Sequence, residues 1–211
     1  MKTQAPAPEQ KKLMKNSRSK SAAFLTTANF VLPAAALLLL ACLASVRASN
    51  DNRAPAVPAS LQVPDGNKVE FHAYAAGVQI YTATTSPTDS TKLVWTFTAP
   101  EAVLFDADGN NVGIHYAFAG PTRPAWESES GSRVVGARTV PPVSVNSNAI
   151  PWLILSAVAT NTIGPGIFDR TTYIQRVNTS GGLAPATLPA TLGQVARVPY
   201  TAEYFFYRAT K

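Results

Sequence analysis

Beyond residue 60 the apolar positions recur with a period of two, and no window of a dozen residues sustains a period of 3.6. "KVEFHAYA" at 68–75 sets Val69, Phe71 and Ala73 on one side and Glu70, His72 and Tyr74 on the other, as a strand does. "GVQIYTAT" follows, with Gly77 predicting a bend or tight turn between the two. "KLVWTFTA" at 92–99 aligns Leu93, Trp95 and Phe97. "AVLFD" and "VGIHYAF" flank "DADGNN" at 106–111, which predicts a hairpin with Gly109 in its turn. "SRVVGARTV", "IPWLILSAVAT", "RTTYIQRV" and "AEYFFYRAT" bring the number of strands to eight or nine. The fold class expected is therefore all-β, an antiparallel β-sandwich or barrel.

One stretch fits either periodicity. "NAIPWLILSAVAT" at 148–160 is apolar on both faces, so a buried strand and a short helix after Pro151 both satisfy it. Within "YIQRV", alternation puts Tyr173, Gln175 and Val177 on one side and Ile174 and Arg176 on the other. The 17 prolines and 12 glycines suit turn-rich β structure better than disorder.

The first 48 residues have another character. Lys2, Lys11, Lys12, Lys15, Arg18 and Lys20 precede "FVLPAAALLLLACLASV" at 30–46, which reads as an export signal. The apolar stretch is somewhat short for a stable span of about 20 residues. Val46-Arg47-Ala48 offers small residues for cleavage before Ser49. "LLAC" at 39–42 offers instead a lipobox that would lipidate Cys42, although Leu40 and Leu43 fit that motif imperfectly. An uncleaved anchor is the third reading. "SNDNRAPAVPAS" at 49–60 reads as a flexible linker, and 61–211 as a single β domain.

Charge changes meaning once it is divided at that boundary. The leader carries seven of the 18 Lys and Arg residues and one of the 12 Asp and Glu residues, leaving 11 of each sign beyond it. The basic pI belongs to the leader, so nucleic acid is not expected as a partner, and a membrane is expected only through the signal or a lipid anchor. Cys42 is the only cysteine, so a chain beginning at Ser49 has no disulfide and no thiol chemistry. The expected localisation is secreted or periplasmic, or lipid-anchored to the envelope.

The phrases "VPDGNKVEFHAYAAGVQIY", "WTFTAPEAVLFDADGNNVGIHY", "GPTRPAWESESGSRVVG", "TYIQRVNTSGGLAP" and "RVPYTAEYFFYRA" resemble a bacterial and fungal family of exported proteins catalogued as a domain of unknown function, family number 3455. The resemblance runs from about Val63 to Ala209 and implies no particular reaction. Relatives often carry one cysteine at the position near Ala83 and another within "ATLPATLG" at 186–193. If those pair, this chain lacks a bridge worth about 2 to 5 kcal/mol unless packing compensates. The phrase around Trp126 is also expanded here by Phe118-Ala119 and Arg123-Pro124-Ala125.

Candidate chemistry is sparse. There is no G-x-S-x-G elbow for a serine nucleophile. His72 and His115 would need a further ligand from Glu70, Asp106, Asp108 or Glu127 to hold a metal, and a hydrogen bond at the sheet explains them as well. "DADGNN" has the alternation of half a calcium loop but lacks its closing glutamate. No cofactor motif is present. Paired carboxylates, Glu127 with Glu129, Glu70 or Glu101, are what an envelope carbohydrate hydrolase would use.

Aromatics are the more useful signal. With three tryptophans and seven tyrosines the chain has enough to line a face for a glycan or other small molecule, although a disulfide-free core uses the same residues. The candidate binding residues are His72, Tyr81, His115, Tyr116, Trp126, Glu127, Gln175 and Arg176. Trp126 is the best candidate for exposure because its neighbours read as a proline-broken rim loop. A binding or structural β domain is the expected function, with the hydrolase as alternative.

Overall fold

The computed structural model describes residues 52–120, 123–161 and 166–211. The leader at 1–48, with Cys42 and both processing sites, lies outside the described residues. Eight antiparallel strands form one closed sheet: β1 Asn67–Thr85, β2 Leu93–Phe105, β3 Asn111–Ala117, β4 Pro124–Ser128, β5 Arg133–Arg138, β6 Leu153–Asn161, β7 Thr171–Gly181 and β8 Val195–Ala209. Each strand pairs with the next, and β1 closes the ring on β8 from Asn67 opposite Ala209 to Thr82 opposite Val195. A 3-10 turn at Ala59–Leu61 is the only helical element among the described residues. The ambiguous stretch at 148–160 is thus β6 and its approach, not a helix, because its apolar residues serve both the ring interior and its outer side.

Gly77 corrects a second expectation. It lies in mid-strand, where a Cβ would stand 2.1 Å from the Glu101 carbonyl oxygen and 2.5 Å from the Ala102 Cα. The residue allows β1 and β2 to approach closely and makes no turn.

Alternation sends one residue set inward. Ala73, Leu104, Trp126, Val134, Leu155 and Ile174, each from a different strand, pack with Tyr204 and Phe206 of β8 as the main core. Phe168, from the turn before β7, joins Phe206 at 4.6 Å between ring centroids and fills this part of the ring. A register shift between Val69 and Phe71 divides what sequence alternation had put on one face. Phe71 and Ala73 belong to the main core, whereas Val69 joins Val177, Phe205 and Tyr207 in a second cluster.

That second cluster is covered by the chain before β1. Val57 and Val63 pack on it, and Leu61 is fully buried. Gln175 donates to the Leu61 carbonyl at 2.6 Å and accepts from the Tyr207 hydroxyl at 2.5 Å. The described end of the segment read as a linker is therefore docked on β1, β7 and β8. Near the opposite end of β1, Ala83 exchanges backbone hydrogen bonds with Gly193 and Gln194, and Trp95 Nε1 donates to the Thr187 carbonyl. These contacts hold the 186–193 segment against the sheet where the resemblance implies a bridge in relatives.

Candidate functional site

An eight-stranded barrel is just wide enough to be filled by side chains or to hold one small ligand, and this ring does both along its length. Where Phe71, Trp126, Phe168 and Phe206 meet, it is solid. Elsewhere a cavity of about 640 Å³ remains, within the usual range for ligand pockets. Phe97, Pro100, Ile150, Leu153 and Leu155 give it apolar walls, and its polar lining is Gln79, Tyr81, Arg123, Arg138 and Arg176.

Strand register places these groups. Gln79 and Tyr81 share a parity on β1, and Arg176 occupies the inward row of β7 next to Ile174. Tyr81 donates to the Gly182 carbonyl at 2.7 Å, and burial raises its pKa. Gly182, at φ 81°, could not carry a side chain: a Cβ would lie 2.9 Å from that of Tyr200 and 3.1 Å from Gln79 Cγ. The Arg176 guanidinium donates to the Pro151 carbonyl from Nε at 3.2 Å and from Nη2 at 2.7 Å. Gln79 is 2% exposed, and its amide nitrogen has no hydrogen-bond acceptor at good geometry. Beside Arg176 the Tyr200 and Tyr204 hydroxyls are also buried without a hydrogen bond of good geometry.

The eight sequence candidates divide among three places. Tyr81 and Arg176 line the cavity. His115 and Trp126 lie within the packed interior, stacked at 4.5 Å and 11°, with Tyr204 5.1 Å from the histidine ring. Trp126 is 1% exposed and sits on β4, which corrects its reading as an exposed loop residue. Burial, opposed by a hydrogen bond from His115 Nδ1 to the Ala125 carbonyl and reinforced by Arg176, lowers the His115 pKa to about 3.

The remaining four candidates lie elsewhere. Tyr116 donates to Glu127 at 2.6 Å, and Arg133 stands 3.6 Å from the same carboxylate. His72 lies 3.0 Å from Glu203 and stacks on Phe205 at 3.9 Å, while Gln175 is sealed beneath Leu61. The bond to His72 holds the Glu203 carboxyl below its ordinary range.

The carboxylates considered as an acid and base pair do not converge. Glu70 is held by Arg170 and Arg208, Glu101 by Arg197 at 2.8 Å, and Glu127 by Tyr116 and Arg133. Glu129 falls in the turn after β4. The Asp106 carboxylate accepts from the Asp108 and Asn110 backbone and from the Asn110 amide, so the hairpin explains "DADGNN". Among the described residues no three His, Cys, Asp or Glu side chains gather as a metal site would require.

Gln79, Arg123 and Arg138 are cavity residues that sequence reasoning passed over. The available signal was parity: Gln79 stands two residues before Tyr81, on the same inward row. Charge counting hid the arginines, because the balance of 11 and 11 beyond the leader averages over a lining with three cations and no carboxylate.

A model of a family described as protein of unknown function, DUF3455, matches residues 64–208. No curated protein matches the chain.

Proposed function

The chain belongs to the DUF3455 family, whose description assigns no activity, and from the cavity we propose that it is an exported small-molecule-binding β domain. The observation that carries this reading is the 640 Å³ space inside the ring, with apolar walls and a few polar groups. A domain built only to be a surface component has no need of an apolar-walled pocket open to solvent, since apolar surface left against water forgoes the free energy of burial. Export rests on the basic, apolar leader, and N-terminal sequencing of the cell-derived protein tests it by finding Ser49 or a lipid-blocked Cys42 at the start. Hydrolysis has no support of comparable weight, because Glu70, Glu101 and Glu127 are engaged by separate arginines and Glu129 is exposed in the turn after β4.

The binding test is a titration of the purified protein with the neutral fluorophore N-phenyl-1-naphthylamine. One saturable site is expected, lost in Leu153→Trp, where the indole occupies the cavity. A probe that never saturates, or that binds the variant equally well, would refute the reading.

A further inference from the structure

We propose that the cavity's ligand is an amphiphilic carboxylate, a single anionic group on an apolar body, with its head against Arg176 and Gln79. This deepens the binding reading given above and rests on it. Among the described residues, every polar side chain lining the cavity has a hydrogen-bond donor, and none is a carboxylate. The single hydroxyl proton among them, that of Tyr81, is committed to the Gly182 carbonyl. Gln79 leaves an N–H pair with no acceptor of good geometry, meeting only the Tyr200 hydroxyl poorly, although its side chain is buried. Such a donor costs stability until something accepts from it.

The cations are more informative. Arg176 is half-buried and meets only neutral oxygens, the Pro151 carbonyl and, at poorer geometry, the Tyr204 hydroxyl. Arg123 and Arg138 are exposed, and neither takes part in an ion pair among the described residues. Elsewhere the chain pairs Arg133, Arg170, Arg197 and Arg208 with carboxylates. Three guanidinium groups around one apolar space, uncompensated where the others are compensated, call for an anion from outside. A guanidinium fork matches the two oxygens of a carboxylate. The apolar walls, Phe97, Pro100, Leu153 and Leu155 among them, reject a ligand that is charged throughout and accept an alkyl chain or an aromatic ring.

The test displaces N-phenyl-1-naphthylamine with two pairs of compounds, decanoate against decan-1-ol and 2-naphthoate against 2-naphthalenemethanol. At least one carboxylate is expected to bind about tenfold or more tightly than its alcohol. Taken as the acid-to-alcohol ratio within each variant, the surplus should disappear in Arg176→Gln and fall in Arg138→Gln. If decanoate is the tighter carboxylate, an octanoate-to-dodecanoate series should gain about fourfold per CH₂ until the space is full. Should 2-naphthoate be tighter, the body is aromatic. Equal binding of acid and alcohol, or an acid preference unchanged in Arg138→Gln and Arg176→Gln, overturns the anionic head while leaving the binding reading intact. Failure of the neutral probe and all four compounds overturns both. If Arg176→Gln does not fold, Arg138→Gln decides, since its exposed side chain has no ion pair to lose among the described residues.

Discussion

Lowering the pH from 6.5 to 4.5 should destabilise the domain through His115 by about 2 kcal/mol. Its ring is 2% exposed and stacked between Trp126 and the Tyr204 side, with burial as the first cause of a folded-state pKa of about 3. An unfolded chain binds the proton near pH 6.5 and the folded one does not. The unfolded state therefore holds more protons throughout the window, and stability falls as pH falls, with a slope that begins at about half of 1.4 kcal/mol per unit and approaches that value below about pH 5.5. Over the two units the loss comes to about 2 kcal/mol, a large share of a typical domain stability of about 5 to 15 kcal/mol. Glu203, whose folded pKa is also depressed, adds stability that is lost at still lower pH.

Urea unfolding of wild type and His115→Phe, followed by tryptophan fluorescence at both pH values, isolates the effect. Phenylalanine keeps a ring against Trp126 and cannot titrate, while it gives up the bond to the Ala125 carbonyl. The variant is expected to start about 1 kcal/mol lower at neutral pH and then to lose about 2 kcal/mol less than wild type on acidification. The Glu203 contribution is common to both proteins and cancels. Equal acid losses, or an NMR titration placing folded His115 near pH 6.5, would refute the burial argument.

Other substitutions separate core from surface. Trp126→Ala should cost about 3 to 5 kcal/mol in urea unfolding, because the indole packs against His115, Tyr204 and Phe206; a cost under 1 kcal/mol would place it outside the core. Gly77→Ala should cost about 3 kcal/mol, since the new methyl meets β2 backbone rather than a side chain that can turn away. Leu61→Ala should cost about 2 to 5 kcal/mol if the segment before β1 is part of the fold, measured in the same way. Glu127→Gln should change stability by no more than about 1 kcal/mol and leave probe binding unaltered, because its ion pair is partly solvated and lies apart from the cavity.

Period-two alternation made the all-β class legible, since a sheet with a packed interior and a mostly wet exterior writes that rhythm into each long strand. The count of strands was less legible. Gly77, and Pro100 beside a bulge, look like chain breaks, yet both lie inside long continuous strands, β1 and β2. At β4 the five-residue strand begins with Pro124 and is too short to show a period, so Trp126 resembled a loop residue. Tyr173, Gln175 and Val177 were correctly grouped, but the cover laid over them comes from a proline-bearing segment with almost no hydrophobic signal. The cavity required the third dimension. Gln79, Arg138 and Arg176 come from three strands, and only ring closure brings them around one volume.

Closure by β1 and β8 also sets a timetable. These strands are joined across almost the full described length of the domain, with Asn67 opposite Ala209. Until Val195–Ala209 has been made and delivered, β1 has one partner rather than two and the interior has no wall on that side. Contacts so distant in sequence form slowly, because a long loop must close before they return any free energy. A ribosome or a translocation channel holding back the final strand thus keeps the chain incompletely folded. For a chain exported as proposed, the same topology that encloses the cavity would keep it open until it has crossed.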